Sequence, residues 1–134
     1  MIDANVAVMA LVSPAAAGDS ARTAMSADDD WIAPDHMPLE VMRALHKAVL
    51  GDHLTAEDAE SAFQSLIAMQ FEFVGTDRVL LQAVWAMRHR ISVYDAAYLA
   101  VAATQGAPLV TFDARLARAA EHVKPDIRVN LLTA

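Results

Sequence analysis

The chain has 134 residues, 56 % apolar and 20 % charged, which is enough for one packed core, too few for two domains and too apolar for disorder. It contains no cysteine, which excludes a disulfide scaffold, a thiolate zinc site and a cysteine nucleophile. A net charge of −7 repels nucleic acid at long range, so nucleic-acid chemistry here would need metal ions or a local basic patch, while a basic protein partner would suit the same field.

In chain order, Met1-Ile2 reads as a short strand ending at Asp3, with a helical turn through Val6 to Val12 after it. Ser13-Pro14 breaks that helix, and a second runs from about Gly18 to Ala27. "WIAP" (Trp31 to Pro34) reads as a strand, and a long helix follows from about Pro38 to Leu50, where Gly51 stops it. Thr55 is a good N-cap for a helix reaching about Met69, and "FEFV" (Phe71 to Val74) alternates like a strand. Thr76 can cap a helix over Asp77 to Arg88. Ser92 caps the next, Val93 to Thr104, which Gly106 and Pro108 terminate. "PLVTF" is a strand, Asp113 to Glu121 a helix and "DIRVNL" a final strand. No repeat, linker or internal boundary interrupts the chain, so residues 1–134 are expected to form one domain. Its class is α/β, a mostly parallel central sheet flanked by helices as an α/β/α sandwich.

In an open parallel sheet, ligands bind beyond the carboxyl ends of the strands. Asp3 and Asp113 both follow strand ends, and Asp95 lies three residues after the Ser92 cap, at a helix N-terminus. Each also has a purely local explanation: Asp113 as an N-cap, Asp95 as the second half of a capping box, Asp3 as a turn residue. Asp95 resists that explanation best, because it is the lone charge in "VYDAAYLAVAAT", which is apolar on nearly every face. A buried carboxylate must be hydrogen-bonded, paired or metal-bound, and no Lys or Arg shares this helix. Glu40 sits at the margin of an apolar stripe through Met37, Val41, Ala44, Leu45 and Ala48, where a surface pair with Arg43 is the plain alternative. Two carboxylates about 5 Å apart repel by roughly 3 kcal/mol at an effective dielectric near 20, so a cluster of these acids calls for a cation. Hard oxygen ligands suit Mg²⁺ or Mn²⁺.

The ordered segments "IDANVAVMAL", "IAPDHMPLEVMRAL" and "ISVYDAAYLAVAATQGAPLVTFDARLARAA" resemble the PIN domains, in particular the VapC-type toxins of bacterial toxin–antitoxin pairs. The likeness covers essentially the whole chain. It implies a metal-dependent ribonuclease in which Asp3, Glu40, Asp95 and Asp113 hold one or two Mg²⁺ or Mn²⁺ ions. By the same analogy, Asn5 and Thr111 stand beside the metal, and a metal-activated water attacks the RNA phosphodiester in line, leaving a 5′-phosphate and a 3′-hydroxyl. It also implies a homodimer and a small antitoxin protein with a basic residue entering the acidic site. Compared with the family, the strand before Asp3 is short, so either its start lies upstream or that edge of the sheet is frayed.

The five histidines (His36, His46, His53, His89 and His122) show no metal-ligand spacing and read as surface groups or neighbours of the ligands. Trp31, Trp85, Phe63, Phe71 and Phe73 read as core or subunit-contact residues. Arg115 and Arg118, three apart on one helix face after Asp113, are either solvated surface or RNA phosphate contacts. Two other readings stand beside the nuclease. One is a catalytically inactive PIN-like module that only binds its partner. The other is an aspartate-based phosphotransfer protein, a poor fit because "DANV" lacks a second Asp at position 5.

Overall fold

The computed structural model describes all 134 residues. Seven helices and four short strands alternate: α1 (Ala4–Val12), α2 (Ala16–Ser26), β1 (Ile32–Pro34), α3 (Met37–Leu50), α4 (Ala56–Ala68), β2 (Glu72–Val74), α5 (Arg78–Ala86), α6 (Val93–Gln105), β3 (Leu109–Thr111), α7 (Ala114–Val123) and β4 (Val129–Leu131). β1 runs parallel to β2 with Ala33 opposite Phe73, and β3 parallel to β4 with Val110 opposite Asn130. Met1–Asp3 joins the two pairs. Ile2 N–H donates to Ile32 O at 2.9 Å, Asp3 N–H to Val110 O at 3.0 Å, and Val110 N–H to Met1 O at 2.9 Å. The strand line is therefore β2, β1, Met1–Asp3, β3, β4. This is the α/β arrangement expected, with one correction. The opening residues are no frayed edge but the middle of the sheet, and Met1 and Ile2 are wholly buried because strands flank them on both sides.

Helix α6 crosses β1 and β3 and is buried continuously from Ala96 to Ala102. That burial explains its uniformly apolar sequence. Ser92 caps it by accepting from Asp95 N–H at 3.2 Å, a bond worth about 1 kcal/mol, and Gly106 ends it at φ 59°, where a side chain would be strained. α1 packs on α2, α3 and α4, and Gly18 makes the first of these contacts possible, since a Cβ there would overlap the Ser13 carbonyl.

Two details differ from the sequence reading. Asp77, not Thr76, caps α5, accepting from Leu80 N–H at 2.8 Å, while the Thr76 hydroxyl donates to Asp35 at 3.1 Å. α5 also stops at Ala86 rather than Arg88. Among the aromatics, Trp31 packs tilted against Phe71, which stacks on Phe73, but Phe73 and Trp85 are exposed rather than in the core, Trp85 lying under the Arg88 guanidinium, 4.4 Å from its ring centre.

Candidate active site

Asp3, Asn5, Glu40, Asp95 and Asp113 line one open concavity of about 380 Å³, floored by Ala4, Val8, Met9 and Ala44. The fold gathers them from five places: the end of the central strand, the first turn of α1, the first turn of α3, the first turn of α6 and the end of β3. All sit at the carboxyl edge of the sheet or at helix N-termini that begin there, where backbone dipoles favour negative charge.

Asp3 is the deepest, with only 8 % of its surface exposed. Burial raises its carboxyl from 3.8 to about 6; the Thr111 hydrogen bond opposes the rise, and the Glu40 and Asp95 charges add to it. The Thr111 hydroxyl donates to Asp3 Oδ2 at 2.7 Å and accepts from Asp113 N–H at 2.9 Å. Asn5 donates to the same hydroxyl at 3.4 Å and accepts from Phe112 N–H at 3.3 Å, tying the α1 start to the end of β3. Asp113 does cap its helix, accepting from Arg115 and Leu116 N–H through Oδ1, while its Oδ2 accepts from Arg115 Nη2 at 3.1 Å.

Glu40 makes no pair with Arg43. It accepts from the Tyr98 hydroxyl at 2.8 Å, and His36 Nε2 lies 3.1 Å from the same Oε1. The imidazole stands close enough for an ion pair but lacks hydrogen-bond alignment, so the Tyr98 bond is the directional contact. Burial, then the Asp3 and Glu40 charges, push the Tyr98 phenol far above the tyrosine range, which keeps it a donor. His36 and Tyr98 had no metal-ligand spacing to advertise them. The signals present were only their positions, four residues before Glu40 and three after Asp95.

Asp95 does find a cation, from another helix. Arg115 Nη2 lies 3.1 Å from Asp95 Oδ2 and 3.1 Å from Asp113 Oδ2. The Asp95 hydrogen bond, then the Asp113 charge, raise the guanidinium further. Arg118 is exposed and takes no part in this bridge. Two of the four carboxylates thus share one guanidinium, while Asp3 is held by Thr111 and Glu40 by Tyr98, and no three Asp, Glu or His side chains converge closely enough to chelate an ion in this arrangement.

The PIN domain family model matches residues 1–122. The chain belongs to the PIN-domain family. Its relatives group it with the VapC-type members. Ribonuclease VapC1 of Mycobacterium tuberculosis is 37 % identical over 87 residues, 65 % of this chain and 65 % of that protein, so the match spans slightly less than two thirds of the relative's length. Ribonuclease VapC3 of the same organism is 35 % identical over 99 residues, 74 % of this chain and 67 % of its own. Ribonuclease VapC9 is 29 % identical over 119 residues, 87 % of each chain. The matched PIN segment contains all four carboxylates, together with Asn5, Tyr98, Thr111 and Arg115.

Proposed function

We propose that this PIN domain, residues 1–134 taken as one unit, is a metal-dependent endoribonuclease acting as the toxin of a toxin–antitoxin pair. The observation that carries it is the lining of one concavity by four carboxylates, two of which, Asp95 and Asp113, are bridged by a guanidinium. An all-oxygen donor set with excess negative charge fits a hard divalent ion, Mg²⁺ or Mn²⁺, in chemistry and charge, with closure of the carboxylates left to binding. Asp3, Glu40, Asp95 and Asp113 would hold it. When bound, such an ion activates water and offsets charge developing at a phosphorus under attack.

The chain's own residues supply the rest. Thr111 and Asn5 fix the Asp3 carboxylate and the turn into α7. Arg115, once displaced from its two carboxylates, would contact an RNA phosphate, with Arg118 three residues further along α7. The net charge of −7 suits a small antitoxin whose basic residue enters the same acidic concavity. No helix is long and apolar enough to cross a membrane, and a toxin acting on RNA would work in the cytoplasm. Homodimerisation is part of the same reading. It is supported by the exposed Leu81 and Trp85, four apart on α5, beside exposed Val93 and Tyr94 on α6.

The test is cleavage of a mixed bacterial RNA pool by purified protein with Mg²⁺, Mn²⁺ or EDTA, beside Asp95→Asn. Metal-dependent cutting, absent in the variant, is expected. Folded, partner-free protein that cuts nothing with either metal would favour the binding-only reading, for which the Arg115 bridge across Asp95 and Asp113 is the supporting observation.

A further inference from the structure

Tyr98 is 1 % exposed, yet its hydroxyl sits between three acid-bearing elements. The residue rides on α6 one turn beyond Asp95, donates to Glu40 Oε1 on α3 at 2.8 Å, and accepts from Ala4 N–H at the start of α1 at 3.2 Å. A buried hydroxyl costs free energy unless it is paired, and these are its two partners.

The Ala4 bond ties the phenol to the start of α1, next to Asp3. The first N–H groups of a helix need external acceptors, and the carboxylate of an N-cap Asp ordinarily accepts from the second or third of them. Asp3 occupies the N-cap of α1 but makes no capping bond; its Oδ2 is engaged by Thr111 instead. Tyr98 satisfies the first N–H of α1, that of Ala4, which fixes the phenol oxygen to the helix start. The same oxygen, through its proton, holds Glu40, while His36 packs edge-on against the phenol ring at 5.5 Å and brings Nε2 within 3.1 Å of Glu40 Oε1.

We propose that Tyr98 is a positioning residue of the carboxylate site, whose hydroxyl, anchored on the Ala4 N–H, aims Glu40 at the concavity. The inference rests on the metal-site reading above. A Phe at this position keeps the ring packing and removes only the bridging oxygen.

The experiment is calorimetric titration of the full chain with Mn²⁺ alone, for wild type, Tyr98→Phe, Glu40→Gln and the double variant, with urea denaturation of each metal-free protein. Tyr98→Phe is expected to weaken Mn²⁺ binding about 10- to 100-fold, the usual effect of removing a partner behind a ligand. On the Glu40→Gln background the same change is expected to have much less effect, because the group it aims is already gone. A lower urea midpoint with unchanged Mn²⁺ affinity marks a merely structural hydroxyl and overturns the proposal. So does a full, additive loss on the Glu40→Gln background. Wild-type protein that binds no Mn²⁺ fails the metal reading itself, and the inference with it.

Discussion

The Thr111 hydroxyl and the Asp3 carboxylate are 2.7 Å apart, and that hydroxyl is saturated: its one proton goes to Asp3, while Asp113 N–H and the Asn5 amide occupy its acceptor side. Thr111 is completely buried. Thr111→Val keeps the shape and strands both Asp3 Oδ2 and the Asp113 N–H. A loss of roughly 1–3 kcal/mol is expected in urea denaturation, with Thr111→Ser close to wild type. A Val variant as stable as wild type would mean that the hydroxyl is dispensable to the fold.

Asp3 also sets a pH dependence. Its carboxyl is raised by burial from 3.8 to about 6, so between these values the folded state binds more protons than the unfolded one. Stability therefore falls as pH rises through this window and levels off above it. In EDTA, Asp3→Asn is expected to flatten that slope and to exceed wild type above the window by up to roughly 3 kcal/mol, the equivalent of a shift of about two units. Parallel stability–pH curves for the two proteins would show that Asp3 is not the titrating group.

Arg115 bridges Asp95 and Asp113 with one nitrogen, so under the proposed metal site it competes with the ion for both carboxylates. Removing a competing cation should strengthen metal binding. Arg115→Gln is expected to bind Mn²⁺ severalfold more tightly by calorimetry. Its RNA affinity should weaken, with a salt dependence shallower by about one phosphate contact. Weaker Mn²⁺ binding would instead mean that Arg115 orders the two carboxylates for the ion.

The Leu81–Trp85 stripe offers a check of the homodimer. Trp85 is 65 % exposed, too much for so large an apolar side chain with only Arg88 over it. Light scattering is expected to give a dimer mass for wild type and a monomer mass for Trp85→Asp, with folding unchanged. A dimer in both would move the interface elsewhere.

Gly18 sets helix propensity against packing. In an isolated helix, Gly→Ala would gain about 1 kcal/mol. Here the new Cβ would meet the backbone carbonyl of Ser13, which Arg22 Nη1 holds at 2.9 Å and which cannot swing aside as a side chain would. Gly18→Ala is expected to lower stability by roughly 1–3 kcal/mol in urea, through strain at the α1–α2 contact.

What sequence could determine was local. Ser92, Thr55 and Gly106 mark helix ends because a cap acts within four residues, and the structure puts all three at those ends. Asp3 and Asp113 were legible as strand-end acids, and Asp95 as a charge its own helix could not satisfy, because each signal lies in neighbouring residues. Asp77 in place of Thr76 shows the limit even there, since Thr76 was drawn off by Asp35, 41 residues away. Tertiary structure alone decided the partners. Glu40 turned from nearby Arg43 to Tyr98, 58 residues distant, and Asp95 was met by Arg115 from α7. Met1-Ile2, the shortest strand in the reading, became the centre of the sheet. Caps and turns are chosen by short-range hydrogen bonds that any window of sequence contains. Which buried polar groups meet across the concavity is settled only when sheet order and helix packing bring distant residues to one edge.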